Sequence, residues 1–229
     1  MAKPRASQDA ASSGRRRRRV PVAQTGRALG ARALRTRQKI LEATAALLSE
    51  RSVLDLPVVD IARRAGSSPA TFYHYFKDVE EVALALAEQA ADEMPAVLSL
   101  IAGPWKGPEG MERARAIVQA FLRHWDTHHA ILQLRNLAAD RGDRRFMRVR
   151  RDTLEPVLRA FAAKIEEARD AGHVSPDLNP YVAAAALGSI LERLAAYHRE
   201  LGYFGATRKD LVETCARILY QTVTGRPPR

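Results

Sequence analysis

Cysteine occurs once in the chain, at Cys215, so no disulfide can close within it; that usage fits a reducing compartment. Cys215 lies among Leu211, Val212, Ile218 and Leu219, where a small buried hydrophobe is expected rather than a redox sensor. No apolar run reaches the length of about 18 residues that a membrane-spanning helix needs. The basic run near the start is not followed by the apolar stretch of a secretory signal either, so the expected location is the cytoplasm, with no membrane partner. No alternating strand pattern of useful length occurs, which excludes a substantial sheet. Nucleophile-and-base motifs, phosphate-binding loops and metal signatures are also missing, so neither an enzyme nor a bound cofactor is expected.

Acidic residues are almost missing from one end. Residues 1–35 hold ten Lys or Arg against the single Asp9, so +9 of the formal net charge of +11 sits there and only +2 on the rest. The body is near neutral and the basic signal is an arm. Residues 1–32 therefore read as a disordered basic arm suited to a polyanion, meaning nucleic acid or an anionic surface, or as a solvated tail without a partner.

What remains is helical periodicity almost throughout, with 46% hydrophobic residues to build a core, so the fold class is all-α. A first helix is expected over about Ala33–Arg51 and a second near Pro57–Ala65, ended by Gly66. Ser68 followed by Pro69 reads as an N-cap with proline in the first turn, opening a third helix to about Phe76. Asp78 with Glu81 resembles a capping box that starts a long fourth helix toward Ile101. Beyond the Gly- and Pro-rich loop at 103–110, helices are expected at Met111–Asp126, His128–Ala139, Phe146–Ala171, Pro180–Leu201 and Thr207–Thr224. Pro156 should kink or split the third of these, and residues 225–229 should fray.

Aromatics make up only 6% of the chain, yet Phe72, Tyr73, Tyr75 and Phe76 crowd into one short stretch. At about 100° per residue, Phe72 and Phe76 share a face with the apolar stripes of the preceding helices and read as core. Ser67, Ala70, Thr71 and His74 point the opposite way, while Tyr73 and Tyr75 sit on the flanks, where a ring can lean on protein and its hydroxyl can reach out. Two short helices joined by a glycine-containing turn, the second with an outward row of small and hydrogen-bonding residues, are the layout of a helix-turn-helix.

The run Asp60-Ile61-Ala62-Arg63-Arg64-Ala65-Gly66, followed by Ser68 through Lys77 with Thr71-Phe72-Tyr73-His74-Tyr75-Phe76 at its centre, closely resembles the DNA-binding domain of TetR-family transcriptional regulators over about Thr36–Leu86. The resemblance implies a helix-turn-helix domain at 33–80 and a larger helical domain at 81–224 that binds a small ligand and dimerises through its last two helices. It further implies a repressor that binds a palindromic operator on double-stranded DNA. By position, Thr71, Tyr73, Tyr75 and Lys77 would contact phosphate, and Ser68, Pro69, Ala70 and His74 would lie nearest the base edges. Two departures stand out. Pro57 replaces a capping Thr or Ser that binds phosphate in much of the family, and Val79 replaces a common Lys.

Past Val82 only composition speaks. Phe121, Trp125 and Phe161 could line a pocket for a small, largely apolar effector, with His124 and His128 among its polar groups; the same stripe also fits a closed core. His124 and His128 stand one helical turn apart, but no Glu directly follows the first, as in a zinc peptidase, and Asp126 points away, so no metal is expected. Tyr181, Leu187, Leu191 and Leu194, with Leu211 and Ile218 on the next helix, form the expected homodimer seam, although a buried core of one chain explains the same pattern. The rival to a sequence-specific regulator is a nonspecific nucleic-acid binder driven by the arginine-rich arm. If that arm tracks the DNA backbone or minor groove, deleting residues 1–35 will make log affinity fall less steeply with log salt, by about 0.9 for each phosphate contact removed. An unchanged slope excludes arm contacts.

Overall fold

The computed structural model describes residues 29–50 and 56–227; the expected disordered arm lies outside the described residues up to residue 28, as do residues 228–229, while the arm's last two residues, Ala31 and Arg32, are helical and open the first helix. Among the described residues every regular element is helical.

Helix α1 (Ala31–Glu50) buries Ile40, Leu41, Ala43, Leu47 and Leu48 along one stripe. Helix α2 (Val58–Arg64) begins one residue after Pro57, which occupies the N-cap position and supplies no side-chain cap bond. Gly66, at φ +65°, then takes a left-handed turn that favours glycine. Helix α3 (Pro69–Tyr75) opens as expected: the Ser68 hydroxyl accepts the Thr71 N–H at 3.1 Å, and Pro69 occupies the first turn. Helix α4 (Val79–Ala91) is capped by Asp78, which accepts the Glu81 N–H at 2.8 Å. The Glu81 carboxylate takes the Lys77 N–H at 2.6 Å, one residue before the partner that a capping box would use.

The helix expected to run on to Ile101 is broken. Helix α5 (Met94–Ala102) starts afresh, with Pro95 in its first turn, where the missing N–H leaves no bond unmade. The two helices expected on either side of Thr127 run on into each other as α6 (Gly107–Asp140), with the expected division present as a kink at His128, where the dihedrals leave the helical region (φ −117°, ψ 20°). Helix α7 (Arg144–Asp170) runs unbroken through Pro156. Val149, Thr153, Val157, Phe161 and Ile165 are all buried at steps of four residues, so packing holds the helix across the proline. Pro156 itself is exposed.

Helix α8 (Pro180–Tyr197) is capped by Asn179 and stops short of Leu201, giving way to a 3-10 turn at Glu200–Phe204. Helix α9 (Arg208–Thr224) carries a complete capping box between Thr207 and Asp210. Gly225 ends α9 in the left-handed conformation, and the Arg226 N–H bonds to the Thr224 hydroxyl at 3.2 Å.

Two buried clusters result. The smaller joins α1, α2, α3 and most of α4 to Ile131, Ala139, Phe146 and Val149 of α6 and α7, so it reaches past residue 80. The larger fills the space between α5, α6, α7, α8 and α9, and Cys215 lies within it, 4% exposed. Gly110 sits in a tight entry to α6: a Cβ there would sit 2.8 Å from the Trp105 carbonyl carbon and 2.7 Å from the Tyr220 ring. Gly110→Ala is therefore expected to lower the unfolding free energy by about 1–3 kcal/mol despite alanine's better helix propensity. Gly202→Ala, which meets nothing within 4 Å, should be close to neutral in the same urea titration.

Candidate nucleic-acid interface

Helix α3 divides its side chains sharply. Phe72 and Phe76 are 0% and 1% exposed, in the small core, while Ser68, Pro69, Ala70, His74 and Lys77 are exposed and Tyr73 is 53% exposed. Thr71 is half-buried, its hydroxyl 3.0 Å from that of Ser68, so the cap and the first turn share one hydrogen-bonding corner. Tyr73 stands edge-on to Phe72, ring centroids 5.6 Å apart, which props the phenol outward. Tyr75 leans on protein more fully than Tyr73: it is 9% exposed, its ring packed edge-on against His74 at 5.0 Å. The Arg37 guanidinium stacks over Phe76 at 4.7 Å. The wheel of α3 alone could not reveal that contact, because Arg37 comes from α1.

A cleft of about 1320 Å³ opens between α1, α6 and α8. Gln38 and Glu42 of α1, Trp125, His128 and Asn136 of α6, and Glu192 and Arg193 of α8 contribute to its walls. Of the five residues expected to line a ligand site, Trp125 and His128 are in these walls. Phe121 and Phe161 are not. They are 2% and 0% exposed in the large core, and the space beside Phe121 amounts to about 10 Å³, too little for a ligand. The apolar stripe there is closed packing, and the cleft that does exist is mixed in polarity. Behind its wall Arg135, 3% exposed, donates to Glu192 at 2.6 Å and to the Asn136 carbonyl oxygen at 2.9 Å.

His124 is buried, with Nδ1 3.0 Å from one oxygen of Glu93, whose other oxygen lies 2.7 Å from His128 Nε2. Partial burial alone would push the Glu93 carboxyl up, but the two histidine hydrogen bonds outweigh it and hold the group below the usual carboxylate range. Burial pushes His124 down, only partly offset by Glu93, which favours the neutral imidazole. Spacing along the chain gave no sign of Glu93, which lies 31 residues before His124.

Residues 40–86 match the family model "Bacterial regulatory proteins, tetR family", and residues 98–229 match "Tetracyclin repressor-like, C-terminal domain". The chain belongs to the TetR family of bacterial regulatory proteins. Among similar solved structures are a transcriptional regulator of the TetR/AcrR family from Thermobifida fusca (24% identity, TM-score 0.59, covering 80% of this chain and 96% of that one) and FadR from Bacillus subtilis in complex with stearoyl-CoA (16%, 0.60, 82% and 98%). A third is SmeT, the repressor of the Stenotrophomonas maltophilia multidrug efflux pump SmeDEF (19%, 0.56, 82% and 90%). At these identities the likeness is one of fold. This TetR-family chain is thus a transcriptional regulator with a helix-turn-helix, and no described helix is long and apolar enough to cross a membrane.

The last two helices of the regulator correct the expected seam in part. Leu187 and Leu191 are 3% exposed and Leu211 8%, all in the core of the single chain, and Leu194 is half-buried against that core. Gly188 serves the same packing, since a Cβ there would lie 2.6 Å from the Leu158 side chain of α7. The exposed apolar face is the neighbouring one: Tyr181 (46%), Val182 (65%) and Ile190 (36%) on α8, with Ile218 (38%) on α9. Leu191→Glu would bury an unpaired charge and is expected to lower the unfolding free energy by more than about 3 kcal/mol in urea denaturation. Glu at Ile218 should leave the helical circular dichroism unchanged.

Proposed function

We propose that the chain is a one-component repressor that reads a palindromic operator as a homodimer and is released by a small effector bound in the α1–α6–α8 cleft. The observation that carries this reading is the division of α3, with both phenylalanines buried and a row of small and hydrogen-bonding side chains turned outward. A helix so divided can enter a major groove about 12 Å wide, its small leading residues letting the backbone come close. Ser68, Pro69, Ala70 and His74 then lie nearest the base edges, while Thr71, Tyr73 and Lys77 hold phosphates and fix register. Tyr75, with its ring in the core, supports the helix more than it contacts DNA.

The helix-turn-helix unit spans 33–80 and the effector and dimer domain 81–224, the two sharing α4 across their boundary. The dimer forms through the exposed faces of α8 and α9, with Tyr181 and Ile218 kept from the expected set and Val182 and Ile190 added. Two recognition helices must lie about 34–36 Å apart, or a multiple of it, to read successive turns. An effector that favours a different spacing weakens DNA binding by no more than its differential affinity for the two states. Walls that set Trp125 beside Glu42, His128 and Asn136 suit an effector carrying both apolar and hydrogen-bonding groups, more than a purely apolar one. This reading places the protein in the cytoplasm, on DNA, without a catalytic role.

The test is binding at near-physiological salt to the DNA just upstream of the protein's own gene, against a shuffled fragment of equal length. Preference by roughly a thousandfold or more is expected, with most of it lost in His74→Ala and Tyr73→Ala. Ile218→Glu should yield folded monomers that lose the palindromic site. Equal binding to both fragments, unaffected by His74→Ala, would instead favour the nonspecific binder.

A further inference from the structure

Glu93 sits in the break between α4 and α5, at the N-cap position of α5, yet its side chain makes no capping bond there. Its carboxylate reaches across to α6 instead, where the two oxygens lie 3.0 Å from His124 Nδ1 and 2.7 Å from His128 Nε2. The histidines are one turn apart, and His128 is the residue at which α6 leaves helical dihedrals, with ring centroids 5.1 Å from each other. The result is that one oxygen and two imidazole nitrogens, from two separate segments, converge with all donor atoms within 4.8 Å of one another.

Tetrahedral bonds of about 2.0–2.2 Å put neighbouring ligand atoms about 3.3–3.5 Å apart. The observed carboxylate-to-imidazole separations, made to different oxygens of Glu93, are shorter than that by about 0.3–0.8 Å, so side-chain rotations that open both contacts would admit an ion. Two imidazoles and a carboxylate form a borderline donor set that suits zinc and its neighbours over calcium or magnesium. Glu93 is half-exposed, which leaves an entry path, and the nearby Arg135 charge is matched by Glu192 at 2.6 Å.

We propose that Glu93, His124 and His128 bind a divalent metal ion of the zinc type, with three protein ligands and a fourth position left for water or a ligand atom. Bound there, the ion ties the α4–α5 break to the bend in α6, beside the cleft that His128 also lines. The inference does not depend on the operator or effector reading.

The experiment is calorimetric titration of zinc chloride into the metal-free full-length protein, with Co(II) absorption as a second readout. Wild type should take up one equivalent per chain and show the intense visible bands of four-coordinate Co(II). Both should vanish in Glu93→Gln and in His128→Gln, and persist in His129→Gln and His198→Gln. Thermal unfolding of each metal-free variant checks that it folds, and zinc should raise the Tm of wild type but not of Glu93→Gln. Absence of a saturable one-equivalent step in wild type, or a step retained in both Glu93→Gln and His128→Gln, would overturn the assignment and leave the three residues as a hydrogen-bonded tie between helices.

Discussion

Ile131 and Leu132 are neighbours in sequence but belong to different cores, and the rest of the structure depends on that division. A step of about 100° around α6 sends Ile131 into the cluster built on α1, α3 and α4, and Leu132 into the cluster built on α5, α7, α8 and α9. Helix α4 is shared in the same way, with Ala87 in the small core and Ala90 in the large one. The recognition helix is therefore not hung on a loose linker. Its Phe72 and Phe76 rest in a core that two helices of the larger domain help to build. Because such interiors are close-packed, a change in how α4 and α6 cross must be taken up by the side chains that position α3.

How much of this could be read along the chain follows from the range of the interactions involved. The recognition helix was legible because its determinants are local: a serine cap, a proline in the first turn, and two phenylalanines four residues apart. The faces of α8 and α9 were not. Periodicity shows that Leu187, Leu191 and Leu211 form an apolar stripe, but it does not say whether α6 and α7 or a second chain covers it. Phe121 and Phe161 failed as pocket residues for the same reason. Proline teaches the point in its simplest form. Pro95 starts a new helix and Pro156 is carried inside one, because on α7 the buried residues at steps of four run straight through the site. Glu93 and the cleft walls were invisible because they come from segments far apart in sequence and meet only in the folded chain.

The cleft sets a physical condition on whatever occupies it. Its walls include Gln38 and Glu42 of α1 as well as Glu192 of α8, so one occupant can touch elements of both cores at once. Glu192 is also the partner of the buried Arg135. Pulling that carboxylate away would strand a guanidinium that is 3% exposed, at a cost of about 3–5 kcal/mol. That is close to the differential affinity of about 5.5 kcal/mol needed to drive a two-state equilibrium from one extreme to the other. An occupant that broke the Arg135–Glu192 pair would thus spend most of its switching power on the break itself. If an effector acts through this cleft as proposed, it would leave the pair intact or offer Arg135 a replacement acceptor, and direct its remaining contacts to α1.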